Sequence, residues 1–222
     1  MTSLSPDVLK SALNLHNVSV DSAHVPALVD YCKLLWDWNE RINLTRHTDI
    51  DAFVCRDLID TLQLSKHIQV GNSVLDVGSG GGVPGIPLAI IREDLTMALA
   101  ESVSKKAKVL NAIVQDLDLP IRVHDARAEN VLKNERFDTL TVRAVAPLRK
   151  LLFWFQLHPG QFGRLLLIKG PRWEAEREEA KLLGLTDNVD ISVVDEYLTP
   201  GHDNKSVILS VIFGDRPAGD KA

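Results

Sequence analysis

Residues 74–85 read Val-Leu-Asp-Val-Gly-Ser-Gly-Gly-Gly-Val-Pro-Gly, and this stretch decides the fold. Its first four residues can end a buried strand, and they run into a turn that is dense in glycine. Apolar residues between Ile86 and Ile91 then begin a helix. Glycine allows positive φ and a close approach to a ligand, and the start of a helix presents free N–H groups. We therefore predict a nucleotide-like ligand at the carboxyl edge of a parallel sheet.

The acid beside this turn indicates which ligand it holds. Gly80, Gly82 and Gly85 match G-x-G-x-x-G, the dinucleotide fingerprint, but this match alone is weak. Asp76 stands two residues before Gly78, where a carboxylate can accept hydrogen bonds from loop amides or face a cationic ligand. Because it would repel a pyrophosphate, the pattern favours S-adenosyl-L-methionine, whose sulfonium and ammonium are positive. A dinucleotide and a tight turn without a ligand are the alternatives.

The composition is that of a globular chain. It has 222 residues, of which 45% are apolar, and a net charge of −5. No apolar run reaches the ~20 residues of a transmembrane helix, and residues 1–10 lack the features of a signal peptide. We therefore expect a cytoplasmic protein in which Cys32 and Cys55 are reduced and buried. The negative charge argues against a generic nucleic-acid binder, so contact with nucleic acid requires a local basic face.

The hydrophobic pattern predicts two regions. Residues 1–66 form a small helical region, with helix starts at Ser5, Asp21 and Asp49. Residues 67–213 alternate between strands and helices, and the polar residues 214–222 are expected to be a disordered tail. The predicted strands are Ser73–Val77, Thr96–Glu101, Ile121–His124, Phe137–Val142, Arg164–Ile168, Ile191–Tyr197 and Ser206–Phe213, and the predicted helices among them are Ile86–Ile91, Lys105–Asp116, Leu148–His158 and Trp173–Leu183.

The last two predicted strands indicate the class of fold. No helix separates them, because Leu198–Lys205 is polar and contains Pro200 and Gly201, which is typical of an antiparallel pair at a sheet edge. Five alternating units and this pair predict a seven-stranded, mostly parallel α/β sheet with helices on both faces. Dinucleotide-binding domains lack the closing pair, so the ending favours a Rossmann-like methyltransferase.

Residues after the second and third strands are candidates for binding the nucleoside part of the cofactor. Glu101 ends the second strand, where an acid reaches the ribose hydroxyls in this architecture. Ser102 and Val103 follow on the same edge. After the third strand, the backbone amides of Ala128 and Glu129 can bind adenine, although the Glu129 side chain can equally pair in solvent with the arginine two positions earlier.

Arg143 directly follows the fourth predicted strand, where the reactive methyl group lies in methyltransferases of this fold. The Asn/Asp-Pro-Pro-Tyr/Phe motif of amino-group methylases is absent there, and neither cysteine falls near this edge. A permanent cation beside a cationic cofactor needs a partner, so we expect Arg143 to bind the cofactor's carboxylate or an oxygen of the substrate. Arg143→Ala would then weaken binding and leave the fold intact. A structural ion pair with Asp138 or Asp125 is the alternative.

Basic residues are numerous on the same predicted edge of the sheet. Their convergence favours an RNA or DNA substrate, because they can follow a phosphate backbone, although each alone is more often a solvated helix residue. The group comprises Lys105, Lys106, Lys108, Arg143, Arg149, Lys150, Lys169 and Arg172, of which Arg143 and Lys169 stand at strand ends and line the site.

The helical region has one dense polar stretch, residues 38–46, which contains Asn43. Arg56 and Asp60 follow at i, i+4 spacing and can pair. These residues either pack the helical region onto the sheet or form a wall of the substrate site, and the residues alone leave both interpretations open. Asn43 and Arg56 are therefore further candidates for contact with the substrate.

From about residue 25 to 213 the chain resembles the ribosomal RNA small subunit methyltransferase G family, also called glucose-inhibited division protein B. The glycine loop with Pro84 and Pro87 is the specific part of this resemblance, and the other pieces are modest singly and strong together. In chain order, the matching pieces are Trp38-Asn39, Asn43-Leu44-Thr45, Arg56 with Asp60-Thr61-Leu62, Asp76 to Leu88, Glu101-Ser102, Arg127-Ala128-Glu129, Arg143-Ala144 and Lys169-Gly170.

The resemblance implies methylation of N7 of one guanine in a loop of 16S ribosomal RNA, with S-adenosyl-L-methionine as cofactor. The substrate is free RNA or the small ribosomal subunit, and we expect a monomer with no metal ion and no membrane contact. With the loop residues Asp76 and Gly80 added, the expected cofactor contacts are Asp76, Gly78, Gly80, Val83, Glu101, Ser102, Val103, Ala128, Glu129 and Arg143. The candidates for RNA contact are Asn43, Arg56, Lys105, Lys106, Arg143, Lys169 and Arg172.

Some positions depart from the family's pattern. Asp57 stands where the family usually has histidine, which bears on contact between its helix and the substrate. Glu101 stands where the family usually has aspartate, so its longer side chain must bend. The family's late basic segment is matched only loosely, around His202 to Lys205.

The implied reaction needs no catalytic base. Guanine N7 has an in-plane lone pair and no proton, so orientation and close placement supply most of the rate, and we assign no catalytic residue. N7 lies in the deep, narrow major groove of A-form RNA, so the target base is expected in a loop or turned out of its stack. The alternatives are a methyltransferase for another RNA, a small molecule or a protein, and a non-catalytic RNA-binding assembly factor.

Overall fold

The computed structural model describes residues 4–200 and 205–214. Apart from Gly214, the predicted disordered tail lies outside these residues, as do Gly201 and His202 in the connection between the last two strands. Helices occupy much of the chain before Ser73, and they share a hydrophobic cluster with one face of the sheet. The division of the chain at residue 66 stays a prediction.

Side-chain caps set the helix starts that the sequence predicts before the sheet. Ser5, Asp21 and Asp49 each accept a hydrogen bond from a backbone N–H two or three residues later, which satisfies a free donor at the helix start. The helices are α1 (Pro6–Leu15), α2 (Val25–Asn39, after a 3₁₀ turn at Ser22–His24), α3 (Ile50–Ala52) and α4 (Ile59–Ser65), and a π-helical turn (Phe53–Leu58) joins α3 to α4.

Seven strands form one sheet in the order β3-β2-β1-β4-β5-β7-β6. Strands β1 to β5 are parallel, and β7 pairs antiparallel with both β5 and β6. The predicted fold class is therefore confirmed. The strands are β1 (Ser73–Val77), β2 (Thr96–Glu101), β3 (Arg122–Asp125), β4 (Phe137–Arg143), β5 (Phe162–Lys169), β6 (Val189–Leu198) and β7 (Lys205–Phe213).

Helices cover both faces of this sheet, as the alternation of side chains along β5 shows. Leu166 and Ile168 pack in a cluster with the helices that precede β1 and with α5 and α6, whereas Leu165 and Leu167 pack in a second cluster with α7, α8 and α9. These helices are α5 (Gly85–Ile91), α6 (Ser104–Asp116), α7 (Ala128–Val131), α8 (Leu148–Phe155) and α9 (Trp173–Leu182).

The strand order creates a switch point between β1 and β4. The chain leaves β1 for β2 on one side and later adds β4 on the other. In open α/β sheets, ligands bind in the crevice outside the carboxyl ends of the strands at such a point. The glycine loop after β1 and Arg143 at the end of β4 therefore border one crevice.

Most element bounds differ from the predictions by one or two residues, among them those of β4 to β7, α5, α6 and α9. Helix α8 ends at Phe155 and not at His158, because Pro159 disfavours helical backbone at the residue before it. Strand β3 spans Arg122–Asp125 instead of Ile121–His124. Helix α7 was not predicted, since its four residues are too few to show a hydrophobic period.

Gly85 begins α5 where this helix passes close to the sheet. A Cβ at this position would lie 2.4 Å from Cδ2 of the buried Leu99 and 2.9 Å from Oδ2 of Asp76. Glycine therefore allows α5, and with it the glycine loop, to pack directly on β1 and β2. This is the role of the third glycine in loops of this type.

Gly85→Ala is expected to lower the free energy of unfolding by about 1–3 kcal/mol, the usual cost of overpacking a core. Gly170→Ala is the matched control, because a Cβ there meets no atom within 4 Å, and its effect should stay within about 0.5 kcal/mol. Urea unfolding measures both variants. Equal stability of the two variants would show that α5 does not need this close approach.

Candidate functional site

The glycine loop requires glycine at three positions. Gly78, Gly80 and Gly82 have φ values of +65°, +57° and +100°, in the region that other residues avoid. The N–H groups of Gly78 and Ser79 donate to the carbonyl oxygen of Ala100 at 2.8 and 3.2 Å. The loop thus turns sharply at the end of β1 and is fixed to the end of β2.

Glu101 holds the same loop with its side chain. The side chain is 6% exposed, and its two carboxylate oxygens accept hydrogen bonds from the N–H of Gly80 at 2.9 Å and the N–H of Val103 at 2.8 Å. A carboxylate has about four acceptor sites, so each oxygen retains capacity for a hydroxyl donor. Contact between Glu101 and a ribose stays a prediction, with which this geometry agrees.

A cavity of about 160 Å³ lies beside the glycine loop, at the ends of β1, β2 and β3. A Cβ on Gly78 would approach Cγ2 of Val145 to 2.8 Å, so a side chain on the loop would displace a wall of this cavity. Its mostly apolar lining suits a flat nucleobase. The lining residues are Val77, Gly78, Ala100, Ser102, Ala126, Arg127, Ala128, Glu129, Val145 and Trp154.

The cavity brings together four of the predicted cofactor residues, Gly78, Ser102, Ala128 and Glu129. Val145 and Trp154 were missed by the sequence analysis. They belong to the loop after β4 and to α8, and an apolar pattern on a helix predicts core packing as readily as a ligand wall. Their position opposite the end of β3 follows only from the packing of α8 on the sheet.

Asp76 lies beneath the glycine loop. It is 1% exposed, and its Oδ1 accepts a hydrogen bond from the hydroxyl of Thr141 at 2.9 Å. Oδ2 lies beside Gly85 and has no hydrogen-bond partner of normal geometry among the described residues. Burial raises the pKa of this carboxyl to about 6, although hydrogen bonds from Ser79 and Thr141 act in the opposite direction. Contact between Asp76 and the cofactor stays a prediction.

Arg143 is bound by two acids that precede the sheet. Its Nη2 donates to Oδ1 of Asp57 at 2.7 Å, and its Nη1 donates to Oδ2 of Asp60 at 3.1 Å. Asp57 lies in the π-helical turn and Asp60 three residues later, so both reach the end of β4. Burial raises the pKa of Asp60. Burial also acts to lower the pKa of Arg143, but the two carboxylates outweigh it, so the pKa of the guanidinium is raised.

Each of these acids has a second partner. Nδ1 of His47 lies 2.8 Å from Oδ1 of Asp57, where the ring N–H donates to the carboxylate. The hydroxyl of Tyr197 on β6 donates to Oδ1 of Asp60 at 2.6 Å, and burial together with this carboxylate raises the pKa of the phenol. The network therefore joins the π-helical turn, α4, β4 and β6 around one guanidinium.

The two ion-pair partners that the sequence suggested for Arg143 were wrong. Asp138 lies at the amino end of β4, roughly 17 Å away at the rise of a strand, and accepts hydrogen bonds from the N–H and hydroxyl of Ser73. Asp125 accepts one from the hydroxyl of Ser104. The signal in the sequence for the actual partners, Asp57 and Asp60, was their i, i+3 spacing among apolar residues of one helix.

The turn after α2 packs against the glycine loop. Oδ1 of Asn39 accepts hydrogen bonds from the N–H groups of Leu44 and Thr45 at 2.7 and 2.9 Å. A Cβ on Gly81 would lie 3.4 Å from the carbonyl oxygen of Leu44. This contact supports the packing interpretation of the polar stretch. Asn43 is exposed on this turn, and its contact with a substrate stays a prediction.

Lys169 stabilises the loop that follows β4. Its Nζ donates to the carbonyl of Ala146 at 2.8 Å and to Oε2 of Glu176 at 2.7 Å, and the side chain is 11% exposed. The same Glu176 oxygen accepts a hydrogen bond from the N–H of Leu148 at the start of α8. Ala144 in this loop has a φ of +55°, which costs energy in a residue other than glycine. Contact between Lys169 and RNA stays a prediction.

The other basic candidates lie near the carboxyl ends of strands or in the π-helical turn. Lys105 and Lys106 are in the first turn of α6, and Arg172 directly precedes α9. Lys105 and Arg172 are exposed, whereas Lys106 and Arg56 are half-buried. Their contacts with RNA stay predictions. Val83 lies in the glycine loop and Val103 directly precedes α6, and their contacts with the cofactor also stay predictions.

Within residues 4–200 and 205–214, no helix is both long and apolar enough to cross a membrane. No group of three or more His, Cys, Asp or Glu side chains in that part of the chain is arranged to hold a metal ion. Cys32 and Cys55 are free and buried, and burial raises the pKa of both thiols.

Known proteins are similar to this chain in sequence and in fold. A family model described as rRNA small subunit methyltransferase G matches residues 24–200. Ribosomal RNA small subunit methyltransferase G of Rhodopirellula baltica is 50% identical over 188 residues, which cover 85% of this chain and 81% of that protein. The protein of the same name from Chromobacterium violaceum is 34% identical over 206 residues, which cover 92% and 96%.

Solved structures match the fold at low sequence identity. The O-methyltransferase from Bacillus cereus in complex with SAH has a TM-score of 0.57 at 16% identity, over 92% of this chain and 99% of that one. TrmK of M. capricolum, in complex with S-adenosyl-homocysteine, has a TM-score of 0.55 at 13% identity, over 70% of each chain.

The sheet with its closing antiparallel pair and the glycine loop has the Rossmann-like fold, and the match to a methyltransferase family makes this chain an S-adenosyl-L-methionine-dependent methyltransferase. Within this class, the chain belongs to the rRNA small subunit methyltransferase G family, whose model covers most of its length. The resemblance drawn from the sequence motifs is confirmed.

Arg143→Ala is expected to lower the free energy of unfolding by about 3–5 kcal/mol, because it leaves the buried carboxylate of Asp57 and the half-buried one of Asp60 without their cation. This revises the expectation, drawn from the sequence, that the fold would be unaffected. Arg127→Ala is the control, since that side chain is 66% exposed, and its effect should stay within about 0.5 kcal/mol. Urea unfolding compares the two, and wild-type stability of Arg143→Ala would contradict the network.

Asp76→Asn is expected to change the pH dependence of stability. The folded-state pKa of about 6 exceeds the unfolded value near 4, so the contribution of Asp76 is fully present below about pH 4 and is lost as the pH rises through 6. Relative to the variant, the wild type should lose about 3 kcal/mol between about pH 4 and pH 7. Urea unfolding across this range measures the difference, and a constant difference would refute the raised pKa.

Proposed function

We propose that this protein methylates N7 of a guanine in a loop of 16S ribosomal RNA, with S-adenosyl-L-methionine as the methyl donor. The observation that carries this proposal is membership of the rRNA small subunit methyltransferase G family over residues 24–200. We further propose that the protein acts as a monomer in the cytoplasm, on free RNA or on the small ribosomal subunit.

The nucleoside part of the cofactor is assigned to the β2 and β3 side of the crevice. Glu101 is already oriented by two backbone N–H groups and has acceptor capacity for ribose hydroxyls. The adenine is assigned to the cavity that Ser102, Ala128 and Glu129 line. The reactive end of the cofactor then points towards β4, since the crevice continues from the glycine loop to that strand.

The chemistry requires placement and no proton transfer. Bound S-adenosyl-L-methionine supplies a methyl group on a positive sulfur, the guanine N7 lone pair forms the new bond to carbon, and the carbon–sulfur electron pair returns to sulfur. The acids at the β4 end of the crevice are engaged or buried: Asp57 and Asp60 bind Arg143, and Asp76 is 1% exposed. An acceptor atom without a proton matches these surroundings, because the chain's residues only have to orient the two reactants.

The exposed residues at the carboxyl edge are the best candidates for contact with RNA. Lys105, Arg172 and Asn43 are exposed there, whereas Arg143 and Lys169 are occupied by carboxylates. The chain has a net charge of −5, so attraction to phosphate is local and depends on these few cations. N7 lies in a groove of A-form RNA that side chains cannot enter, which supports a target base in a loop.

The function is tested by methyl transfer to RNA that lacks the modification. The protein is incubated with labelled S-adenosyl-L-methionine and either 16S RNA or small ribosomal subunits from a strain in which the gene is deleted. Nucleoside digestion and mass spectrometry should then find the label in a single 7-methylguanosine. Label in another nucleoside or in ribosomal protein, or no label in either substrate, would overturn the proposal.

Gly80→Asp is expected to reduce the affinity for S-adenosyl-L-methionine by more than about 100-fold, because it places a second carboxylate beside Glu101 and the two repel each other across the hydrogen bond that fixes the loop. Gly71→Asp is the matched control, since Gly71 also has positive φ, +76°, but lies in open space. Isothermal titration calorimetry measures the affinity of both. An undiminished affinity in Gly80→Asp would remove the glycine loop from the cofactor site.

A further inference from the structure

One carboxylate oxygen of Asp57 takes no part in the ion pair with Arg143. The side chain is 1% exposed, and its Oδ1 is shared between Nη2 of Arg143 and Nδ1 of His47. Its Oδ2 is buried and has no hydrogen-bond partner among the described residues. A buried carboxylate oxygen without a donor is costly, so the charge of Asp57 is only partly compensated where it lies.

Asp57 lies close to the glycine loop on the side of Gly81. Tyr31 is a neighbour of both: its hydroxyl donates to the carbonyl of Gly81 at 2.8 Å, its ring is fully buried, and the charge of Asp57 acts on it. Burial raises the pKa of this phenol, and the charges of Asp57, Arg143 and Asp76 all act on it. These three charged groups therefore act on one buried side chain that is hydrogen-bonded to the loop.

The balance of charge at this end is negative. Three carboxylates, Asp57, Asp60 and Asp76, outnumber the two guanidinium groups of this region, those of Arg143 and of Arg56 in the π-helical turn. The nearby cation Lys169 is paired with Glu176, and His47 carries charge only when it is protonated. In a partly buried site such an excess acts over several ångströms with little screening. The position of Arg143 among basic residues in the sequence suggested a positive end of the crevice. The carboxylates around Arg143 instead give this end a negative balance.

We propose that Asp57 makes the crevice select the positively charged methyl donor over its neutral product. S-adenosyl-L-methionine carries a sulfonium, and S-adenosyl-homocysteine carries a thioether at the same place, so the two differ by one positive charge and one methyl group. A net negative charge at the β4 end favours the first over the second. This preference favours replacement of bound S-adenosyl-homocysteine by S-adenosyl-L-methionine after each turnover. This inference rests on the proposed function only for its choice of cofactor.

The test is the ratio of the two affinities, measured by calorimetry without turnover. Asp57→Asn should lower the preference for S-adenosyl-L-methionine over S-adenosyl-homocysteine about tenfold relative to the wild type. Asp57→Glu keeps the charge and should keep the preference. Asp94→Asn is the control, because it removes an acid from an Arg–Asp pair with Arg92 that is remote from the crevice, and it should leave both affinities unchanged.

A structural role of Asp57 gives a different result, because loss of packing would weaken both ligands by the same factor and leave the ratio unchanged. That outcome, or a wild type without preference for the donor, would overturn the inference. If Asp57→Asn does not fold, Asp60→Asn must lower the ratio, since it removes a charge of the same network. Failure of methyl transfer to 16S RNA with an intact ratio would refute the RNA assignment and leave this inference standing.

Discussion

The carboxylate of Glu101 ties the glycine loop to the end of β2, and the rest of the crevice depends on this attachment. Its hydrogen bonds to Gly80 and Val103 keep the loop in a conformation that only glycine adopts at low cost. Once the loop is fixed, α5 can pack on the sheet through Gly85, and Gly78 leaves room for Val145. The shape of the cavity beside the loop therefore depends on one buried acid.

A second constraint comes from outside the sheet. The helices before β1 contact the crevice through Asp57 and Asp60, which bind Arg143 at the end of β4. Buried ion pairs contribute little net stability compared with apolar packing. The network therefore acts mainly by positioning the residues that it joins and by setting the local charge. It holds the π-helical turn beside the loop, and its excess of carboxylates sets the sign of the local potential. The helical segment is thus part of the site's electrostatics.

Much of the sheet could be predicted from the sequence, because strands and helices of an α/β fold have clear periods and strong turn residues. The glycine loop and the place of Glu101 at the end of β2 could be predicted for the same reason, because their patterns are local in the sequence. Tertiary pairings were not found: Asp57 is 86 residues from Arg143, and Trp154 reaches the cavity only through the packing of α8. The sequence analysis related position 57 to contact with the substrate, whereas in the structure Asp57 binds Arg143 at the end of β4.

The central claim is that a cationic methyl donor lies across the glycine loop, with its sugar at Glu101 and its sulfur towards Arg143. A crystal structure of the full chain with S-adenosyl-homocysteine tests this most directly. The account predicts ribose hydroxyls within hydrogen-bond distance of the Glu101 carboxylate, adenine in the cavity beside Ala128, and sulfur at the β4 end. Ligand bound with the opposite polarity, or bound away from the glycine loop, would contradict the account.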